Sequence, residues 1–489
     1  MFFVAAAAGT LGLIACSDDA LAGDEAGIDG LETDVPETDA LETDVLETDV
    51  PETDVVDATD LDTPAPRFDP AVHSEAARST FPIGVGSSDP TSTSIMLTTL
   101  YAGSDTASSL ELVVWQPDDD LRGAGTLSSR QPIALGDGGF ITFDFGGLAS
   151  ATRYAYAFIV GATLRSPIGT FQTTPPDDAS PVVVLGATSC AKWDLRPFHV
   201  VARAAEDSLA AFLLLGDTTY ADDATTLPQY RENWARNLGS DEFRSLRGAV
   251  ATVATWDDHE VENNWDPESF DAARLAAARQ AFFEHLGPRR SPDDPARIWR
   301  SLRWGTTVEL FVLDCRSERR PSTAESASAQ FISETQLSWF ADTLAASRAT
   351  FKLVMTSLPI TAWPTILPGR AQRWQGYDAQ RERILALTRA VPGVLWLAGD
   401  LHFAAVTRVG PPNTAHATQR EVLVGPVAHL NPAFALVQLG GTEEQFPFLS
   451  GERNYGRLTF DPKTSPPRVL VEHIDGAGAI LNSVALMLP

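Results

Sequence analysis

From Val182 onward the chain alternates short apolar runs with amphipathic stretches, and this alternation restricts the fold more than any other feature of the 489 residues. Val182 to Ala187, Ala211 to Leu215, Ala249 to Thr255, Thr307 to Leu313, Thr350 to Met355 and Gly393 to Leu397 have the length and residue types of buried strands. Arg196 to Glu206, Leu227 to Leu238, Asp271 to Leu286, Ser333 to Ser347 and Ala379 to Arg389 read as helices. Strands that alternate with helices predict a layered α/β domain with the helices outside. From Val422 to Leu488 the pattern returns to short β-runs, with turns such as Asp475-Gly476, and predicts the completion of a second sheet.

Four of these strands end in residues of ligand type. The ends are Ser189-Cys190, then Gly216-Asp217 running through Tyr220 to Asp222, then Trp256 to Trp265, and finally Gly399-Asp400-Leu401-His402. Strand C-terminal ends are where α/β folds place their ligands. Capping and turn chemistry accounts for one or two polar residues at such a position. It does not account for His259 flanked by Asp257, Asp258 and Glu260 and bracketed by Trp256 and Trp265. The donor types divide in two. A thiol, a phenol and an imidazole suit a transition metal, and carboxylates alone suit a hard cation.

The net charge of −29 is concentrated at one end. Of the 65 acidic residues 18 precede Arg67, with no Lys or Arg among them, leaving 47 acids against 36 bases, or −11, for the remainder. A remainder of that sign lacks the basic stripe of a general nucleic-acid binder. Met1 to Ala15 is an apolar run too short to span a bilayer and of the length of a signal h-region, although no Lys or Arg precedes it. Leu13-Ile14-Ala15-Cys16 resembles a bacterial lipobox, which implies export and a lipid anchor on Cys16 in the cell envelope. Five pentads of the type Leu-Glu-Thr-Asp-Val fill residues 31 to 55. Their period fits neither helix nor strand, and their like charges predict an extended, disordered tether. Between residues 81 and 174 the runs Thr93 to Leu100, Leu110 to Trp115, Phe140 to Phe145 and Arg153 to Val160 predict a small all-β sandwich. Within it, Leu148 to Tyr156 resembles the tyrosine-bearing strand of fibronectin type III modules. Pro175, Pro176 and Pro181 mark a boundary. The expected segments are therefore 1–16 signal, 17–66 tether, 67–176 β-sandwich and 177–489 catalytic domain.

The chain resembles the alkaline phosphatase D (PhoD-like) family of calcineurin-like metallophosphoesterases. The resemblance rests on Phe81 to Pro90, Ser189-Cys190, Gly216-Asp217 with Tyr220-Ala221-Asp222, Trp256 to Trp265, Leu313-Asp314 with Arg316, Trp374 with Gly376-Tyr377, and Gly399 to His402. It covers essentially everything after the tether. It implies a four-layer αββα sandwich preceded by the small β domain. It also implies a ferric ion held by Cys190, Asp217, Tyr220 and His402. Asp217 would bridge to a second site, completed by Asp258 and Asp400, that holds calcium or another divalent metal.

The two-metal template then gives attack by a metal-bound hydroxide on a phosphate ester at neutral or alkaline pH. His259 is the expected proton donor to the leaving oxygen, and Glu260 the carboxylate expected to orient it. Asn264, Arg316 and Lys192 are the expected phosphate donors, each equally readable as a capping or ion-pairing residue. A Cys190–Cys315 disulfide is the competing account of the cysteine pair in an exported protein. The expected function is an exported alkaline phosphatase acting on phosphate esters. Alternatives are a phosphodiesterase of phospholipid or teichoic-type polymer, and a surface-anchored binding lipoprotein whose metal is structural. No protein partner is indicated.

Overall fold

The strands form where β-branched and large apolar residues alternate their faces, and that alternation sorts the side chains into separate cores. In the computed structural model, which describes residues 65–103, 110–429 and 434–489, Ala211–Leu214 shows the pattern in miniature. Leu213 packs with Leu185, Val253, Leu310, Leu353 and Leu395 in a core shared by two sheets. Phe212 and Leu214 face the other way, into a core with Trp234, Leu246 and Phe282 from the helices Leu227–Leu238, Asp241–Ala249 and Ala272–Leu286. On the second sheet Phe311, Val354 and Trp396 turn toward Phe340, Ile384 and Leu385 of the helices Glu334–Ala346 and Asp378–Arg389. Each such Leu, Val or Phe, removed wholly from water, contributes roughly 1.5–3 kcal/mol.

One sheet has nine strands, in the order Ile480–Leu486, Arg468–Ile474, Tyr455–Asp461, Val183–Thr188, Ala211–Leu214, Thr252–Ala254, Val85–Ser88, Ile95–Leu100 and Phe140–Phe145. Val183–Thr188, Ala211–Leu214, Thr252–Ala254 and Val85–Ser88 run parallel, so their C-terminal ends lie side by side. In the second sheet Val308–Val312, Phe351–Met355 and Val394–Ala398 are likewise parallel. The two sets of strand ends meet. The Thr255 hydroxyl donates to the Leu313 carbonyl at 2.9 Å, and the Ser189 hydroxyl to the Val424 carbonyl at 2.9 Å.

A third sheet is built by Leu110–Pro117 with Gly125–Pro132 and Arg153–Val160 as antiparallel neighbours. Tyr154 sits in that last strand, and its hydroxyl accepts the Ala149 N–H at 2.9 Å. The expected boundary at residues 176 and 177 is crossed by a strand ladder, because Val85–Ser88, Ile95–Leu100 and Phe140–Phe145 belong to the nine-stranded sheet. Residues 64–489 form one compact unit. Cys16, the signal run and the pentad tether lie outside the described residues.

Three expected elements are shorter or different. The strand expected over Ala249 to Thr255 is only Thr252–Ala254, because Gly248 and Ala249 close a helix, Asp241–Ala249. That helix is capped by Ser240, whose hydroxyl accepts the Phe243 N–H. The helix expected from Arg196 begins only at His199, since Pro197 holds the residue before it out of the helical region. The C-terminal segment expected to be β throughout includes the helix Phe434–Gly440.

Candidate metal centre

The four strand ends converge, and the backbone shows what the convergence costs. Cys190, Asp217, Asp400 and His402 all have positive φ, at 62°, 54°, 63° and 56°. A residue with a Cβ adopts this left-handed region at a cost of order 1 kcal/mol or more, and such residues gather where a site over-determines them. Gly216, with φ of +100°, lets the second strand end pass the third. A Cβ there would stand 2.6 Å from that of Asp257.

Asp217 is at the centre. Its Oδ2 accepts the Tyr220 hydroxyl at 3.3 Å and the Cys190 thiol at 3.5 Å, and lies 3.9 Å from His402 Nε2. Cys190, Asp217 and His402 place one ligand atom each within 4.8 Å of one another, as do Asp217, Asp258 and His259. Asp217 Oδ1 is buried without a hydrogen-bond partner. Burial and the Asp217 charge push the Cys190 thiol and the Tyr220 phenol well above their ordinary values. Asp217 itself is held below the carboxylate range, since His259, His402 and Arg316 together outweigh its burial. A buried thiol, phenol and carboxylate with an orphaned oxygen, beside the half-buried imidazole of His402, make a donor set that fits a transition metal.

Asp258 is buried, and its Oδ2 accepts the Asn264 N–H at 2.7 Å. Asp400 is raised to about 6 by its partial burial and, against Arg316, by the charges of Asp258 and Asp217. These carboxylates fit a hard cation beside the first site. The two cysteines are not bonded to each other. Cys190 meets Ser189 and Asp217, whereas the Cys315 sulfur lies 2.8 Å from the Thr356 hydroxyl.

His259 stacks beside the centre, its ring centroid 4.1 Å from that of Tyr220. Its Nδ1 lies 2.7 Å from Asp222 Oδ1, which also accepts the Asn263 N–H at 2.8 Å. Burial works against protonating this imidazole, but Asp217, Asp222 and Asp258 prevail and push it up to about 10. Glu260 was expected in the orienting role and does not fill it. Its carboxylate accepts the backbone N–H groups of Asp217 at 3.0 Å, Thr218 at 2.6 Å and Asp257 at 2.8 Å. Burial and Asp217 raise it to about 8 against those three donors, and its work is to fix two of the strand ends.

The expected phosphate donors part company. Arg316 is wholly buried and cannot reach solvent. Its Nε donates to Asp257 Oδ1 at 2.5 Å, and its Nη2 stands 3.5 Å from Asp258 and 3.8 Å from Asp400. It is the internal counter-charge of the acids. Asn264 has φ of 55° and an exposed side chain, and it serves Asp258 through its main chain. Lys192 is half-buried, with its Nζ 5.6 Å from the Tyr220 ring centroid. The centre gains two residues with no assigned role in the sequence reading: Asp222, the partner of His259, and His429, whose ring stacks on His402 at 3.5 Å and on Tyr220 at 5.7 Å.

Comparison with known proteins places the chain in a family. A family model described as PhoD-like phosphatase matches residues 184–445, more than half of the chain. Alkaline phosphatase D of Bacillus subtilis (strain 168) is 27% identical over an alignment 379 residues long that covers 66% of this chain and 64% of that protein. The chain thus spans slightly under two thirds of that relative's length. The solved structure of PhoD superposes with a TM-score of 0.71 at 21% identity, over 84% of this chain and 94% of that one. A purple acid phosphatase from yellow lupin (Lupinus luteus) seeds shares the fold at a TM-score of 0.60 and 14% identity, over 83% of this chain and 73% of that one. The chain belongs to the PhoD-like phosphatase family.

Proposed function

We propose that this chain is an exported alkaline phosphatase that hydrolyses phosphate esters at the centre formed by its four strand ends. The observation that carries the reading is Asp217. It gathers Cys190, Tyr220 and His402 on one side and stands with Asp258 and His259 on the other. In this reading Cys190, Asp217, Tyr220 and His402 would hold a ferric ion, and Asp217, Asp258 and Asp400 would hold calcium. Two such cations, when bound, supply Lewis acidity that polarises the phosphoryl oxygens.

The rest of the chemistry belongs to the chain. His259 delivers its proton from Nε2 to the leaving oxygen, and Asp222 at Nδ1 fixes the ring and favours the charged form. Glu260 keeps the Asp217 and Asp257 backbones in register, and Arg316 balances the acids from behind. Lys192, beside Tyr220, is placed to attract an anionic substrate. Export and lipidation at Cys16 complete the proposal and rest on the lipobox-like sequence. Among the described residues no helix is long and apolar enough to cross a membrane.

The test is hydrolysis of chromogenic phosphate mono- and diesters by the metal-loaded chain, with and without calcium. Turnover that needs both metals supports the reading. Absence of hydrolysis with both metals bound would leave a binding protein with a structural metal.

A further inference from the structure

A cavity of about 500 Å³ away from the metal centre is lined by Arg289, Arg290, Arg297, Trp299, Arg300 and Arg303 among others. Three of the five arginines are committed to carboxylates. Arg300 grips both oxygens of Asp89 at 2.7 Å. Arg289 pairs with Asp144 and donates to the Ser94 hydroxyl at 3.0 Å. Arg303 meets Glu309 at 3.1 Å.

Arg290 and Arg297 differ. Neither has a carboxylate within ion-pair distance among the described residues. Arg290 donates to the Pro295 carbonyl at 2.8 Å, and Arg297 to the Ser291 hydroxyl at 2.5 Å. Each guanidinium lies over an aromatic face, Arg290 3.9 Å from the Phe283 centroid and Arg297 4.3 Å from that of Trp299. Trp299 is itself buried, its indole N–H fixed by Glu318 at 2.9 Å. Arg297 Nε is a buried donor with no acceptor. Asp177 is the remaining carboxylate of the lining. A guanidinium held over an aromatic ring retains further N–H groups for a planar or tetrahedral oxyanion, and less side-chain entropy is lost when that anion binds.

The cavity borders a strand next to the one that leads into the metal centre. Asp89 follows Val85–Ser88, the parallel neighbour of Thr252–Ala254, and Arg300 donates to the Ala254 carbonyl at 3.2 Å. Asp258 is four residues further along. Four extended residues span at most about 14 Å, which puts Arg300 within roughly 20 Å of the centre.

We infer that Arg290 and Arg297 form a second oxyanion site that takes a phosphate group apart from the metal centre. Two sources share this chemistry, free inorganic phosphate and the second phosphate of an ester that carries two. Inorganic phosphate titrated calorimetrically into the metal-loaded full chain should show two classes of site. One class should weaken at least tenfold in Arg290→Gln/Arg297→Gln, while hydrolysis of p-nitrophenyl phosphate is unchanged. Should circular dichroism show that variant to be misfolded, Arg290→Lys/Arg297→Lys keeps the charge and removes the fork. It should weaken the same class severalfold.

A linear diol bisphosphate distinguishes the sources. If the second phosphate of a substrate is the ligand, its KM rises about tenfold in the variant. If free phosphate is the ligand, that KM is unmoved and only the calorimetric class is lost. A single class of phosphate site in the unsubstituted chain, or two classes that neither variant alters, would overturn the inference. The KM arm rests on the hydrolase reading and the calorimetry does not, so the two can fail separately.

Discussion

Replacing Asp222 by Asn isolates the carboxylate that serves His259 without touching a candidate metal ligand. The bond at stake is 2.7 Å long, between a half-buried carboxylate and an imidazole that the surrounding acids keep protonated. A hydrogen bond to a charged group is worth about 1.5–3 kcal/mol, and the one-third exposure of Asp222 places this one toward the lower end. If the proton on His259 is used in the transition state, kcat should fall roughly 10- to 100-fold, at about 1.4 kcal/mol per decade. The sign of the pH effect follows from the same pair. Asp222 is one of the charges that raise the His259 pKa, so removing it lowers that pKa and the acid form is lost earlier as pH rises. The alkaline limb of the kcat profile should move to lower pH. Cations at Asp217 and Asp258 would depress the pKa in both proteins and leave the difference standing. The assay is a pH–rate profile on a chromogenic monoester, with metal content measured alongside. An unchanged kcat with an unmoved alkaline limb would refute the orienting role.

Other outcomes follow from the same contacts. His259→Ala should lose most turnover and keep both metals, measured by steady-state rate and elemental analysis; a near-normal rate would remove it from the mechanism. Arg316→Gln should destabilise the fold by roughly 3–5 kcal/mol in denaturant titration, because the buried Asp257 loses its 2.5 Å partner. His285 and His473 are buried and neutral, lowered by burial to about 3 and about 4. Their stabilisation is complete above the unfolded value near 6.5 and is lost as pH falls toward 4, by about 3 kcal/mol each. Thermal melts between pH 7 and 4 should show that loss, and His473→Gln should flatten the slope.

The strand–helix alternation was legible because its periods are long enough to distinguish. Leu227–Leu238 and Phe140–Phe145 fall where the residue pattern puts them. Ala249 to Thr255 misled because a short apolar run does not separate a helix end from a strand. In the site, residue type announced which side chains gather around Asp217, and chain proximity failed as a guide to their helpers. Glu260 adjoins His259 in sequence but turns its carboxylate to the backbone, and the partner is Asp222, 37 positions away. A strand-end arginine reads alike whether it faces substrate or the interior, and only packing shows Arg316 enclosed by acids. Nor does sequence display the left-handed backbone of Cys190, Asp217, Asp400 and His402, which only the closed fold enforces.

The central claim is that these strand ends hold a transition metal, and elemental analysis coupled to visible absorption tests it most directly. The account predicts one transition-metal ion per chain, with a phenolate-to-metal absorption band that Tyr220→Phe abolishes and a metal content that falls in Cys190→Ser and His402→Ala. A full complement of metal in all three variants, with the spectrum unchanged, would contradict it.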